Sequence, residues 1–437
     1  MLHKIASRPP RLWGAWLHFS HCRRLSTVEV LGRSYPKDKF TNITPSILSK
    51  LPTQLYTRPG HPLNTLKTTI EAHFPDYAHF SNLPALVSTY QNFDSLSFPA
   101  DHPGRSATDS YYVNKDLMLR THTSAHEVEV FCDGHKKWLL TADVYRRDEI
   151  DSSHYPVFHQ MEGARLFSDD LNVSGDALAR ENTRLFSELS SEHVVLEDRT
   201  LVDSKNPYQE HHNKQLADLV TQNLKYTLSL LLFKLFAQAA DPSSEAPLQI
   251  RWIPAYFPFT TPSYEVEVFF RHKWLEILGC GVIQQATLTN AKVSNEIGWA
   301  FGLGLERIAM ILYKIPDIRL FWSEDLRFLS QFKPGEISTF QPYSRYPATE
   351  RDISFWCPND FHSNDFCDIV RDEAGDLAEE VQLIDQYHDK RKQGYVMSRC
   401  FRIRFRSMER SMEHAEINKI VITIKKRASE ALRVEIR

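Results

Sequence analysis

The sequence predicts an α+β fold, in which helices flank an antiparallel sheet and a second, smaller unit follows. Three observations lead to this prediction. Several strand-like segments follow one another with only loops between them, which favours antiparallel pairing. In the middle of the 437-residue chain, nine apolar residues recur at helical spacing. Finally, the local charge changes sign near residue 390, within a unit that begins close to Gln341.

The first 28 residues are basic. They contain five lysines and arginines, and Glu29 is the first acidic residue. Such a composition is typical of an organellar transit peptide, so we predict that residues 1–27 are a mitochondrial transit peptide that directs the protein to the matrix. A disordered basic tail is the alternative, because Pro9-Pro10 interrupts the helical pattern.

A strand pair is predicted next. The patterns of residues 138–145 and 158–167 predict two strands, and the loop of 12 residues between them favours antiparallel pairing. Before this pair, residues 54–103 alternate short helical stretches with proline-bounded loops, and Ser124 with Glu127 fits a helix capping box. The polar residues 168–212 have no firm period and are interpreted as a variable insertion.

A long helix and three further strands complete the first domain, which we place at residues 28–340. The apolar residues from Leu216 to Phe236 follow the helical period. Three further segments have strand patterns, and one helical segment ends before a proline. The predicted strands are residues 250–256, 264–270 and 274–278, and the predicted helix is residues 305–313.

The second domain is predicted at residues 341–437. Residues 342–389 contain 3 basic and 12 acidic residues, whereas residues 390–437 contain 14 basic and 5 acidic residues. Such a division can mark a surface that faces RNA. Arg402, Arg404 and Arg406 alternate with apolar residues, so a strand would bury one face and present three guanidinium groups on the other. An ordinary solvated strand face is the alternative.

The composition excludes several classes of protein. Charged residues make up 24% and aromatic residues 12% of the chain, which argues against disorder. No apolar run approaches the roughly 18 residues that a membrane span requires, so no membrane partner is expected. The six cysteines are too dilute for a disulfide framework and lack the spacing of a zinc site.

The second predicted strand carries polar groups on one face. Phe158, Gln160 and Glu162 occupy alternate positions and therefore project to the same side. A carboxylate beside an amide suits a ligand ammonium group, while the guanidinium of Arg146 on the adjoining loop suits a phosphate. From the spacing alone, a salt-bridged hairpin on a solvated sheet face is the alternative.

Glycine is scarce, with 15 in 437 residues, yet five glycines lie between residues 279 and 304. The segment FGLGLER at residues 301–307 places two of them at a predicted strand-to-helix junction, where backbone can approach a ligand. Arg307 in the first helical turn opposes the helix dipole, a local cost that a bound anion would offset. The segment is neither a Walker A sequence nor a dinucleotide fingerprint.

These motifs resemble those of the class II aminoacyl-tRNA synthetases. Residues 144–148 (VYRRD) with the loop to Phe158, and FGLGLER, resemble motifs two and three of that class. Five segments in order are similar to the phenylalanyl-tRNA synthetases, especially their single-chain mitochondrial form: residues 122–126 (HTSAH), 154–163 (HYPVFHQMEG), 256–263 (YFPFTTPS), 274–281 (WLEILGCG) and 297–322. The resemblance implies a class II synthetase antiparallel sheet with flanking helices, and a C-terminal ferredoxin-like α+β anticodon-binding domain.

The resemblance also implies roles for individual residues. Arg146 and Arg307 match the arginines that hold the ATP phosphates, and are the catalytic residues that it implies. The other implied ATP-binding residues are Asp148, Ser153, His154, Tyr155, Phe158, Glu276, Gly302 and Gly304. The implied phenylalanine-binding residues are His122, Ser124, Ala125, His126, Glu127, Gln160, Met161, Glu162, Phe257, Phe259, Ala300 and Phe301. Glu276 is in addition an implied magnesium contact, and Arg402, Arg404 and Arg406 are implied RNA contacts.

Two residues depart from the usual pattern of this family. Glutamine usually stands where the chain has Glu127, and glutamate is common where it has Asp148. Either change could shift affinity without changing the reaction.

The resemblance implies a two-step reaction by a monomer. L-phenylalanine and ATP, with Mg²⁺ expected, would give phenylalanyl adenylate, and the phenylalanyl group would then pass to mitochondrial tRNA-Phe. A non-catalytic tRNA-binding paralogue of the same fold is the alternative. Such a protein is expected to lack Arg146, Glu162 or Arg307, and all three are present.

Overall fold

The computed structural model describes residues 26–191, 194–237, 247–270, 273–343, 346–389 and 397–437. The predicted transit peptide, residues 1–27, lies outside the described residues except for its last two positions, so it stays a prediction.

The chain begins with a region of short elements. The strands are β1 (Thr27–Val30), β2 (Arg33–Pro36), β3 (Ala78–Phe80), β4 (Leu86–Ser88), β5 (Tyr112–Asn114) and β6 (Leu117–Leu119), and the helices are α1 (Pro45–Leu48), α2 (Pro62–His73) and α3 (Thr89–Asn92). Strands β1 and β2 form a hairpin, while β4, β6 and β5 form a small sheet. Helix α2 begins at Pro62, where no amide hydrogen is needed, and Nδ1 of His61 accepts from the amide of Leu63 at 3.2 Å.

An eight-stranded sheet forms the centre of the molecule. Its further strands are β7 (Lys137–Tyr145), β8 (Val157–Ser168), β9 (Val194–Asp198), β10 (Leu248–Phe257), β11 (Thr260–Phe270), β12 (Lys273–Ile283) and β13 (Glu296–Gly304). The order is β3-β7-β8-β13-β12-β11-β10-β9, and only the two edge pairs, β3 with β7 and β9 with β10, are parallel. The prediction of an antiparallel sheet is therefore confirmed.

Helices cover this sheet. They are α4 (Glu127–Cys132), α5 (Leu171–Ser191), α6 (Lys214–Ala237), α7 (Gln285–Asn290), α8 (Leu305–Tyr313) and α9 (Leu326–Leu329). Leu224, Leu228 and Leu231 of α6 are buried in the main core with residues of β11, β12 and β13. None of the helices in the described ranges is long and apolar enough to cross a bilayer.

One helix was missed in the sequence, and one local prediction was wrong. Residues 168–212 contain α5 and β9; the period of α5 was not recognised because widely spaced leucines such as Leu178 and Leu185 give it only a narrow buried stripe among polar neighbours. The interpretation of this segment as a variable insertion stays a prediction. The predicted capping box of Ser124 and Glu127 does not form, since residues 123–126 are a short 3₁₀ helix and α4 starts only at Glu127. Both carboxylate oxygens of Glu127 are buried without a hydrogen-bond partner in the described chain.

The C-terminal domain has its own sheet and core. Its elements are β14 (Thr349–Cys357), α10 (Ser363–Ala374), β15 (Ala378–His388), β16 (Met397–Phe405), α11 (His414–Leu432) and β17 (Glu435–Ile436). The strand order is β15-β16-β14-β17, with every pair antiparallel. Phe355 and Phe401 of this sheet pack with Phe366 of α10 and Ile424 of α11, so both helices cover one face. The other face is open.

The loop between β7 and β8 joins the two domains. Nη2 of Arg371 on α10 donates to the carbonyl oxygens of Asp148, at 2.5 Å, and Glu149, at 3.1 Å. The hydroxyl of Tyr155 donates to Asp376 at 2.7 Å. Both domains therefore fix the position of this loop.

Candidate active site

One cavity of about 580 Å³ opens at the middle of the central sheet. Residues of β8, β12 and β13, the turn between β10 and β11, the start of α8 and residues 121–124 line it. These segments are far apart in sequence, and the strand order β8-β13-β12-β11 brings them together. The sheet topology, rather than one contiguous motif, therefore assembles this site.

Strand β8 supplies one wall. Phe158, Gln160 and Glu162 all line the cavity, as the alternation predicts, whereas the intervening His159 is buried and does not line it. The amide of His159 donates to Glu306 at 2.9 Å, which connects β8 to the first turn of α8. The amide of Thr123 donates to the side-chain oxygen of Gln160 at 3.3 Å. Hydrogen bonds to the segment of residues 121–124 and to α8 therefore fix the position of β8.

Arg146 lies in the loop that follows β7. Its Nε donates to the carbonyl of Thr121 at 2.8 Å, and its guanidinium carbon is 5.2 Å from the centre of the Phe158 ring. Burial lowers the pKa of Arg146, while the carboxylates of Asp148 and Glu276 oppose this change, so the group stays cationic at neutral pH. Its anchored Nε leaves the terminal nitrogens directed at the cavity as donors for an anion.

A second cation borders the cavity at the start of α8. Nη1 of Arg307 is 3.4 Å from a carboxylate oxygen of Glu276 and 3.3 Å from its carbonyl oxygen. Both side chains are about half exposed, at 52% and 53%. This ion pair is therefore exposed to solvent and contributes little to stability, so either side chain can turn towards a ligand at little cost in free energy.

The glycines of β13 leave space for a ligand. A Cβ atom at Gly302 or Gly304 would meet no atom within 4 Å, although both glycines line the cavity. Gly304 has a φ of −85°, so backbone torsion is not the reason for a glycine there. At Gly279, by contrast, a Cβ atom would lie 2.6 Å from the ring of Phe257. The same residue type therefore admits a ligand at one place and a packed ring at the other.

Aromatic rings form the opposite end of the cavity. The ring centres of Phe257 and Phe259 are 6.0 Å apart, and Phe98 lies 5.7 Å from Phe259. The ring of His122 stacks on Phe98 at 5.4 Å. The sequence analysis missed Phe98, because it lies in a loop where no periodicity marks it.

His122 is neutral at this end of the cavity. Burial, reinforced by the charge of Arg146, lowers its pKa to about 3. Nε2 of His122 donates to the carbonyl of Asn92 at 2.9 Å, which makes Nδ1 an acceptor, and Nδ1 has no partner in the described chain. By contrast, a hydrogen bond from Nδ1 to Asp151 at 2.7 Å raises the pKa of His154 at the cavity entrance.

Four of the predicted contact residues do not line the cavity. Ala125 and Met161 are buried in apolar clusters, and Nε2 of His126 pairs with Arg120 at 3.1 Å. Glu127 is buried but is not part of the cavity wall. The other predicted small-molecule contacts all line it: His122, Ser124, Arg146, Asp148, Ser153, His154, Tyr155, Phe158, Gln160, Glu162, Phe257, Phe259, Glu276, Ala300, Phe301, Gly302, Gly304 and Arg307.

The predicted RNA contacts lie on or beside the open face of the C-terminal sheet, and each carries an ion pair. Nε of Arg402 is 2.8 Å from Asp352. Nη1 of Arg404 is 3.0 Å from Glu380 and Nε of Arg406 is 3.2 Å from Glu379. These guanidinium groups are therefore neutralised by neighbouring strands, and their contact with RNA stays a prediction.

Comparisons with known proteins agree with this architecture. A family model for the "tRNA synthetases class II core domain (F)" matches residues 48–210 and 211–332, and a "ferredoxin-fold anticodon binding domain" model matches residues 344–437. The fold and the site together define a class II aminoacyl-tRNA synthetase.

Curated relatives narrow this class. The chain is 45% identical to mitochondrial phenylalanine–tRNA ligase of Mus musculus, over 94% of this chain and 89% of that protein. Its identity to the mitochondrial enzyme of Saccharomyces cerevisiae is 42%, over 94% and 95% of the two chains. For the chloroplastic/mitochondrial enzyme of Arabidopsis thaliana the identity is 44%, over 92% and 83%. The chain belongs to the phenylalanine–tRNA ligase family, and these relatives support a location in the mitochondrion.

Proposed function

We propose that this protein activates L-phenylalanine with ATP and transfers the phenylalanyl group to mitochondrial tRNA-Phe in the mitochondrial matrix. One observation carries the proposal: a single cavity joins an aromatic end beside a buried carboxylate to a second end with two arginines and open glycine backbone. The first end suits an aromatic amino acid and the second suits a nucleotide. Family membership supports the same reaction.

The aromatic end holds the amino acid. Phe257 and Phe259 offer ring faces and edges to a third ring, an arrangement that aromatic quadrupoles favour. Ala300, 5% exposed, keeps the neighbouring wall small enough to leave room for that ring. Gln160 and Glu162 receive the ammonium group, which directs the carboxylate of the amino acid towards Arg146.

The other end holds ATP for in-line attack. The adenine ring stacks on Phe158, Arg146 contacts the α-phosphate and Arg307 contacts the γ-phosphate. The carboxylate of phenylalanine attacks the α-phosphorus of ATP. The bond between this phosphorus and the oxygen that bridges the α- and β-phosphates breaks, and diphosphate leaves. No side chain acts as a nucleophile, so acceleration comes from positioning and from cationic stabilisation of the transferring phosphoryl group.

Magnesium fits this site only together with ATP. Among the described residues no group of three or more histidines, cysteines and carboxylates could hold a metal ion. Glu276 is an exposed carboxylate at the phosphate end, and Mg²⁺ in such sites is commonly held by one or two carboxylates and the substrate phosphates. Glu276 would hold the ion with ATP, and the ion would neutralise phosphate charge.

The remaining components act on RNA. We assign residues 341–437 to anticodon binding and residues 1–27 to import, and we place the active enzyme as a monomer because one chain supplies both ends of the cavity. The alternative of a non-catalytic paralogue is disfavoured, since Arg146, Glu162 and Arg307 all line that cavity.

Aminoacylation tests the proposal. Purified protein lacking residues 1–27 should attach radiolabelled phenylalanine to a transcript of mitochondrial tRNA-Phe in the presence of ATP and Mg²⁺. A transcript without its terminal adenosine is the control and should accept nothing. Tight RNA binding without any charging would instead support the non-catalytic paralogue.

A further inference from the structure

A pair of buried carboxyl groups lies at the ammonium end of the cavity. Glu127, the first residue of α4, is 1% exposed, and Glu162 on β8 is 2% exposed. Both oxygens of Glu127 and one oxygen of Glu162 have no hydrogen-bond partner in the described chain. Neither residue forms an ion pair with a described lysine, arginine or histidine. Buried ionised carboxylates without a cation are costly, so the two groups cannot both be ionised in the free protein.

The environments of Glu127 and Glu162 favour different protonation states. Burial raises the pKa of Glu162, although hydrogen bonds from Thr123 and Ser124 oppose this change and favour the ionised form. Glu127 receives no such hydrogen bond. Burial raises its pKa well above the ordinary value, and the charge of Glu162 raises it further.

Other charged groups near this pair are already compensated. Arg120 pairs with Asp143 of β7 at 3.0 Å. Burial and the charge of Arg120 lower the pKa of His126 to about 3, so it is neutral. His122 is neutral too, and α7 contributes no charged side chain. Glu162 is therefore the group whose charge decides the state of Glu127.

We propose that Glu127 stays protonated in the folded protein, which leaves Glu162 as the single anion that receives the substrate ammonium group, and that binding is coupled to proton loss from Glu162. The substrate ammonium group then meets the single charge of Glu162, and no second buried charge of Glu127 remains uncompensated behind the cavity wall. Binding favours ionised Glu162, so affinity for phenylalanine falls as the pH decreases through the raised pKa of Glu162. This inference rests on the proposed function for the chemistry of the ligand.

Infrared difference spectroscopy tests the state of Glu127 without substrate. At pH 8.5, protein labelled with ¹³C-glutamate should have the carbonyl band of a protonated carboxylic acid. The Glu127→Gln variant should lose this band. Glu129→Gln, which changes a half-exposed carboxylate two residues along the same helix, is the matched control and should keep it. Absence of the band from the unsubstituted protein overturns the proposal even if Glu127→Gln fails to fold.

Calorimetry tests the state of Glu162. Titration with phenylalanine in two buffers of different ionisation enthalpy, repeated between pH 5 and pH 8, should reveal proton release that grows as the pH decreases, because burial raises the pKa of Glu162 and leaves more of it protonated at the lower pH. Release should persist in Glu127→Gln and vanish in Glu162→Gln. Binding without proton release, or release lost in Glu127→Gln, overturns the assignment. Failure of the proposed function would appear differently, as an intact infrared band without phenylalanine binding.

Discussion

The polar groups in the cavity of the central sheet and those on the open face of the C-terminal sheet differ in whether they have partners. In the cavity, Nδ1 of His122 and one oxygen of Glu162 are buried without partners. On the C-terminal face, Arg402 and Arg404 are partly exposed, and each contacts a carboxylate. Unpartnered buried groups are expensive unless a ligand completes them, whereas exposed ion pairs contribute little to stability. The contrast indicates that the cavity is built in advance for small ligands, while an RNA contact on the other face must exchange existing ion pairs.

The largest effect of a substitution is expected at the phosphate end of the cavity. Arg307→Ala should reduce the rate of phenylalanine-dependent ATP–diphosphate exchange by roughly 10²–10³-fold, the range for loss of one preorganised donor. Stopped-time exchange assays at saturating ATP measure the effect. Arg327→Ala, which removes an arginine paired with Asp325 outside the cavity, is the control. A drop below tenfold for Arg307→Ala would remove this arginine from the phosphate site.

Two glycines offer a sharper comparison within the cavity. Gly302→Val should raise the KM for ATP at least about tenfold, a loss of roughly 1.4 kcal/mol, because its side chain enters open space that the nucleotide needs. Its melting temperature should change little. Gly279→Val should instead lower the melting temperature, since its Cβ meets the ring of Phe257. Similar effects of both variants on stability would contradict the assignment of Gly302 to a ligand surface.

The pH dependence of stability gives a smaller effect. Above its ordinary pKa, Glu127 is ionised in the unfolded chain but protonated in the folded one. The unfolded state then binds fewer protons, so stability falls as the pH increases. The melting temperature of Glu127→Gln, relative to that of the unsubstituted protein, should therefore increase between pH 5 and pH 8, by about 1–2 °C for each kcal/mol in a domain of this size. A difference that is constant with pH would mean that Glu127 does not change its protonation on unfolding.

The smallest effect is expected on the C-terminal face. Arg404→Ala should weaken binding of tRNA by less than about fivefold, the equivalent of 1 kcal/mol, because its guanidinium already pairs with Glu380. Filter binding at two salt concentrations measures affinity together with its salt dependence. Glu380→Gln is the companion variant, which removes one of the two carboxylates that contact this guanidinium, the other being Glu350, and should tighten binding. A loss of a hundredfold in Arg404→Ala would show that this face resembles the cavity after all.

The sequence predicts the parts of this molecule whose pattern is local. The alternation of Phe158, Gln160 and Glu162 along a strand, and the glycines before Arg307, could be recognised because period and spacing state the geometry directly. Phe98 could not be found, because only the fold brings that loop beside Phe259. The ion pairs of Arg402 and Arg404 could not be predicted from the sequence either, because strand pairing decides which carboxylates lie opposite these arginines.

Local pattern also misled in two instances. Ser124 and Glu127 have capping-box spacing, yet the chain between them forms a 3₁₀ helix and buries Glu127 beside the amino-acid site. In residues 168–212, the narrow apolar stripe of α5 was hidden by its polar majority. In both regions tertiary packing overrides the local signal.

Amino-acid-dependent exchange of labelled diphosphate into ATP tests the central claim most directly. With each of the 20 standard amino acids supplied singly, the purified protein should catalyse exchange with phenylalanine, and with every other amino acid at a far lower rate. Arg146→Ala and Glu162→Gln should abolish the phenylalanine signal. Exchange that phenylalanine does not support, or that another amino acid supports better, would contradict the assignment of this cavity to phenylalanine activation.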